Sequence, residues 1–71
     1  MTQQINLEAE VPDRLAGQRL DQVAAELFPD YSSSRLQTWI KNGDLTVNGT
    51  ARKTRDKILG GERLELRTDL V

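Results

Sequence analysis

Hydrophobic and polar residues change their rhythm several times along this chain, and each change marks an element. From Gln4 to Val11, Ile5, Leu7, Ala9 and Val11 alternate with Asn6, Glu8 and Glu10. A period of two predicts a strand with one wet face and one buried face. Pro12-Asp13 ends it, and Arg14 to Gln18 reads as a connection that Gly17 frees to turn. From Arg19 to Phe28 the spacing becomes helical. Leu20, Val23, Ala24 and Leu27 fall at i, i+3, i+4 and i+7, one apolar stripe. Asp21 sits in the first turn, where a carboxylate suits the helix dipole, and Pro29 stops the helix.

A second helix is predicted from about Ser33 to Asn42. Ser32 stands ready to cap it, Leu36, Trp39 and Ile40 form its apolar stripe, and Gly43 is a left-handed stop. Leu45 and Val47 then alternate with Thr46, and Asn48-Gly49 signals a tight hairpin. Thr50 to Lys53 is expected to return as the second hairpin strand, followed by a polar connection over 54–57. Ile58-Leu59 is a short apolar insertion and Gly60-Gly61-Glu62 a turn. Arg63 to Arg67 closes the pattern, with Leu64 and Leu66 inward and matched to Ile5 and Leu7 at the other end of the chain. The prediction is an α+β fold: two short packed helices, then a β-hairpin and a small, mainly antiparallel sheet.

Seventy-one residues hold one domain, expected over 1–71. The stretch from Arg67 to Val71 reads as a strand passing into a linker. The domain is therefore expected to be the N-terminal part of a larger protein. The chain has neither cysteine nor histidine. Disulfides and thiolate metal sites are excluded, and the commonest metal ligand and general base are missing. No catalytic residue, metal or cofactor is expected. Apolar runs of a few residues do not span a membrane, and no signal peptide is visible; a cytoplasmic monomer is the expectation.

Charge changes the picture more than composition does. The net charge is −1, which taken alone argues against nucleic-acid binding. Its distribution is polarised. Residues 1–30 carry Glu8, Glu10, Asp13, Asp21, Glu26 and Asp30 against Arg14 and Arg19. Residues 31–57 carry Arg35, Lys41, Arg52, Lys53, Arg55 and Lys57 against Asp44 and Asp56. Cations at that density on a helix and an adjoining loop suit phosphates, whose counterions they release. Ser33, Ser34, Gln37 and Thr38 on the same helix add donors for phosphate or ribose. Solvated side chains balanced by Asp44 and Asp56 account for the composition equally well. Tyr31 and Trp39 have the rings to stack on bases, although the spacing of Trp39 with Leu36 and Ile40 favours core.

The order of these motifs is familiar. Arg19-Leu20-Asp21 opens one helix and Tyr31-Ser32 starts a second. Ile40-x-x-Gly43 closes it, Leu45-Thr46-Val47-Asn48-Gly49 follows, and a Gly-Gly-Glu turn precedes an alternating strand. From about Leu15 to Leu66 the chain resembles the S-four-like RNA-binding domain, in the form carried by ribosomal large-subunit pseudouridine synthases. Leu15 to Gln22 and Leu27 to Ser32 carry the closer likeness to the synthases. The resemblance implies a structured-RNA partner, large-subunit ribosomal RNA, while a separate domain isomerises uridine. It implies RNA contacts at Arg35, Lys41, Arg52, Lys53, Arg55 and Lys57, with Arg19, Ser33, Ser34 and Thr38 as further candidates. It gives Asp21 a role in fixing helix-to-helix geometry. Many such domains carry arginine directly after the capping serine; Ser33 stands there, which shifts the expected grip to Arg35 and the basic residues after the turn. Arg19-Leu20-Asp21 copies letters of the synthases' catalytic motif without its surrounding residues, so Asp21 is not read as catalytic. Two other classes remain: a protein-docking module working through its acidic first thirty residues, and a free-standing RNA binder of the heat-shock or ribosomal kind.

Overall fold

A computed structural model describes residues 3–70. Its elements are β1 (Gln3–Glu10), a 3-10 turn (Asp13–Leu15), α1 (Leu20–Leu27), α2 (Ser33–Asn42), β2 (Leu45–Val47), β3 (Thr50–Ala51) and β4 (Arg63–Leu70). The four strands form one sheet in the order β1-β4-β2-β3, and every pairing is antiparallel. The α+β expectation and the pairing of the chain's two ends are both met: Leu7 lies opposite Leu66 and Ala9 opposite Leu64.

Both ends of α2 are built as its sequence dictates. The Ser32 hydroxyl accepts from the Arg35 N–H at 3.2 Å, which satisfies one of the orphan donors of the first turn. At the other end Gly43 takes φ 84°. Its N–H donates to the Ile40 carbonyl and that of Asp44 to the Trp39 carbonyl, the paired bonds of a Schellman stop. After β2, Asn48 and Gly49 take φ 52° and 80°, as a two-residue hairpin with the right twist requires.

The start of α1 is made differently. Arg19 provides no side-chain cap. Instead the free N–H groups of Leu20 and Asp21 donate to the carbonyls of Asp56 and Thr54, at 2.8 and 3.1 Å. The same loop is tied again where Ile58 N–H meets the Gln18 carbonyl and Gly17 N–H meets the Ile58 carbonyl. Residues 54–58 therefore serve as the N-terminal cap of α1, and α1 in return fixes their backbone.

The core lies between the helices and one sheet face. It takes Leu20, Val23, Ala24 and Phe28 from around α1, Leu36, Trp39 and Ile40 from α2, and Ile5, Leu45, Val47, Leu64 and Leu66 from the sheet. Val11, Leu15 and Ile58 close it from the connections. Trp39 is 6% exposed, so it is core, as its spacing indicated. No described polar or charged residue is buried.

Five expectations need correction. Leu7 is 39% exposed although its face is right, because β1 is an edge strand and the helices pack on the β2 side. The second hairpin strand stops at Ala51, because Lys53 and Asp56 close a turn: the Asp56 carboxylate accepts from Lys53 N–H and Asp56 N–H donates to the Lys53 carbonyl. Arg14 and Leu15 belong to a 3-10 turn rather than an irregular connection, and Leu15 is buried. Ile58 and Leu59 part company, with Ile58 buried and Leu59 81% exposed. The strand expected to give way to linker near Arg67 continues to Leu70; Val71 lies outside the described residues.

Candidate nucleic-acid interface

Two elements carry the candidate cations. The polar side of α2 presents Ser34, Arg35, Thr38 and Lys41, all exposed. The Thr38 hydroxyl donates to the Ser34 carbonyl at 3.1 Å, which leaves its oxygen as an acceptor. The Arg35 guanidinium lies 5.9 Å from the centre of the Trp39 ring, and the Tyr31 ring meets Trp39 edge-on at 5.1 Å. A cation over an aromatic face is held electrostatically, so Arg35 stands on a supported platform. Ser32, Ser34, Arg35, Thr38 and Trp39 line an open recess of about 390 Å³.

The loop after β3 supplies the rest. Lys41 from the last turn of α2 joins Arg52, Lys53, Thr54 and Arg55 around a cleft of about 530 Å³ with no acidic lining residue. Four cations from two elements thus surround one concave surface, where opposed walls focus their field. The capping bonds to α1 and the Lys53–Asp56 turn hold the loop backbone, so these side chains project from a fixed frame.

The ion pairs separate the basic residues into two populations. Arg14 pairs with Glu26, Arg19 with Asp21, Arg63 with Glu8, and Arg67 with both Glu8 and Glu65. On the outer sheet face this places two arginines around Glu8 and Glu65, which face each other across β1 and β4 and would otherwise repel. Among the described residues, Arg35, Lys41, Arg52, Lys53, Arg55 and Lys57 enter no ion pair. Not all candidates share one surface. Ser33 is exposed in the first turn of α2 but lines neither hollow, and Lys57 meets Arg19 in an isolated antiparallel bridge beside the start of α1. Gln37 is half-buried and donates to the Asp21 carboxylate at 3.4 Å, linking α2 to α1. Thr54, which the sequence pattern left in a featureless polar connection, lines the basic cleft.

One acid adjoins the basic loop. The Glu62 carboxylate accepts from the N–H groups of Leu59 and Gly60 at 2.7 and 2.6 Å. Burial pushes its carboxyl up. The N–H groups of Leu59, Glu62 and Gly60 and the Arg52 guanidinium outweigh that and hold it below the ordinary value of 4.5. Among the described residues no group of acids could hold a metal ion, and no helix is long and apolar enough to cross a membrane.

The S4 domain family model matches residues 18–64. That range takes in α1, α2, the hairpin, the basic loop and the start of β4. The chain is 48% identical over 71 residues to ribosomal large subunit pseudouridine synthase D of Haemophilus ducreyi, covering 99% of this chain and 22% of that protein. It is 51% identical over 69 residues to the protein of the same name from Pseudomonas aeruginosa, with 97% and 22% covered. With that of Yersinia pestis it shares 54% over 63 residues, with 87% and 19% covered. The chain thus spans about a fifth of the length of these curated relatives. With two thirds of its residues inside the family match and the elements above arranged over that range, the chain belongs to the S4 domain family.

Proposed function

We propose that this chain is an RNA-binding domain that positions a pseudouridine synthase on large-subunit ribosomal RNA, while uridine isomerisation takes place outside these residues. The observation that carries this reading is the segregation of charge. Cations on the sheet and around the start of α1 are paired with carboxylates, while among the described residues those of α2 and the 52–57 loop enter no ion pair. Unpaired cations around a cleft are what a phosphate backbone requires, and the net charge of the chain does not decide the matter. The chain works as a monomer in the cytoplasm, where ribosomes are assembled; the relatives' name refers to the ribosomal large subunit. Arg35, Lys41, Arg52, Lys53 and Arg55 make the main contacts. Ser34 and Thr38 add hydrogen bonds, and Arg19, Ser33 and Lys57 lie at the margin.

The alternative docking surface, the acidic first thirty residues, has no comparable support. Of its six acids Glu8, Asp21 and Glu26 are already matched by arginines, and Glu10, Asp13 and Asp30 line neither of the hollows described above. The test is binding of a large-subunit ribosomal RNA transcript by the wild type, Arg35→Ala and the double variant Arg52→Ala/Lys53→Ala. Each lost phosphate contact is expected to weaken binding and to reduce the salt slope by about one. Unchanged affinity and slope in both variants would remove this surface from the account.

A further inference from the structure

Leu59 is the most exposed large apolar side chain among the described residues, at 81%. An isolated leucine on a loose tip would need no explanation. This tip is not loose. The Glu62 carboxylate binds the N–H groups of Leu59 and Gly60, Gly61 N–H donates to the Val11 carbonyl, and Val11 N–H donates to the Glu62 carbonyl. Gly60 and Gly61 both take positive φ, at 101° and 83°. A Cβ on Gly60 would lie 3.3 Å from the Asp13 carboxylate and in ordinary contact with Ala16, so that turn lies directly against the 3-10 segment. Leu59 is thus held out in water by a bound backbone, with its ordering cost met before any partner arrives.

Its neighbours indicate the partner. Leu59 lines a recess of about 280 Å³ together with Asn48, Arg52, Gly60, Gly61 and Glu62. Arg52 also lines the basic cleft, so the two hollows adjoin through one side chain. The recess itself is a poor phosphate site, because the Glu62 charge offsets that of Arg52. It offers an apolar wall and one fixed amide. The Asn48 side-chain amide oxygen (Oδ1) accepts from Arg63 N–H at 3.0 Å, and its NH₂ group makes no hydrogen bond among the described residues. Such a pairing suits the uncharged part of a nucleotide, and at that volume it admits one base rather than a helix.

We propose that this recess is a subsite for a single unpaired nucleotide of the bound RNA. Leu59 packs on its base or ribose, the Asn48 amide donates to a base or ribose oxygen, and Arg52 holds the adjoining phosphate. The proposal rests on the RNA-binding reading above and adds to it a preference for looped or bulged RNA over duplex. The probes are a hairpin RNA with a single-nucleotide bulge and a fully paired duplex of equal length. Both are titrated at several salt concentrations against the wild type, Leu59→Ala and Arg52→Ala.

Leu59→Ala should melt with the wild type. It should weaken binding to the bulged hairpin by about fivefold to tenfold at every salt concentration, with the slope unchanged and duplex binding unaffected. Arg52→Ala should weaken both RNAs and flatten both slopes. Equal affinity of Leu59→Ala and the wild type for the bulged hairpin overturns the subsite and leaves the basic surface standing. So does an equal loss on both RNAs. If the wild type binds neither RNA, the RNA-binding reading fails and the subsite with it.

Discussion

At the residue scale, the difference between a paired and an unpaired cation decides most of the functional argument. Arg67 and Arg35 are both exposed arginines. Arg67 lies within 3.7 Å of two carboxylates, while Arg35 stands over a tryptophan ring with no acid beside it. Removing Arg67 should therefore leave RNA affinity almost unchanged, whereas Arg35→Ala should lower it; parallel titrations at one salt concentration compare the two directly. Glu62 supplies a second test at this scale. Its folded-state pKa is held below 4.5, so its ionised form stabilises the fold above that pH. That contribution is lost as pH falls through the lowered value. Glu62→Gln should be less stable than the wild type near neutrality, and the two should converge in acid, as read by denaturant melts between pH 2 and 7. A constant difference across that range would show that the charge has no part in holding the tip.

Elements make or spoil the interface through their ends. The stop of α2 depends on Gly43 at φ 84°, where a side chain is strained. Gly43→Ala should cost about 1 kcal/mol in chemical denaturation. The loop between β3 and β4 depends on Asp56, whose carboxylate holds Lys53 N–H and whose carbonyl caps α1. Asp56→Asn keeps an acceptor at that position and removes a negative charge from among four cations. RNA should bind it more tightly than the wild type, while Asp56→Ala should lose part of that gain as the turn loosens. Equal binding by the two variants would mean that the turn does not position the cations. These loop features were the least legible part of the sequence. Periodicity finds elements with several turns or alternations, so α1, α2, β2 and the Asn48-Gly49 turn could be read directly. It says nothing of a loop whose shape comes from the Asp56 and Thr54 carbonyls, given to the distant helix start at Leu20 and Asp21. Leu59 and Ile58 are indistinguishable by hydropathy, and only the tertiary ties of Ile58 to Gln18 and Gly17 bury one and expose the other.

Over the whole molecule, the run of cations in residues 31–57 becomes a grouping in space: Lys41, Arg52, Lys53 and Arg55 line one cleft, and Arg35 lines a second hollow on α2. The fold was legible because its motifs keep a fixed order, and the family match over residues 18–64 covers the same elements. The site was legible as a set of charges but not as a geometry. The charge count could not show that Arg19 is tied to Asp21, that Gln37 turns toward α1, or that Thr54 joins the cleft. The central claim is that RNA is held by the unpaired cations of α2 and the 52–57 loop. It is tested most directly by the slope of log affinity against log salt for a large-subunit ribosomal RNA transcript. Four to six phosphate contacts predict a slope of about −3 to −5. Neutralising Lys41, Arg52, Lys53 and Arg55 together should bring it close to −1 with the fold intact. A slope that survives those four substitutions would contradict the account.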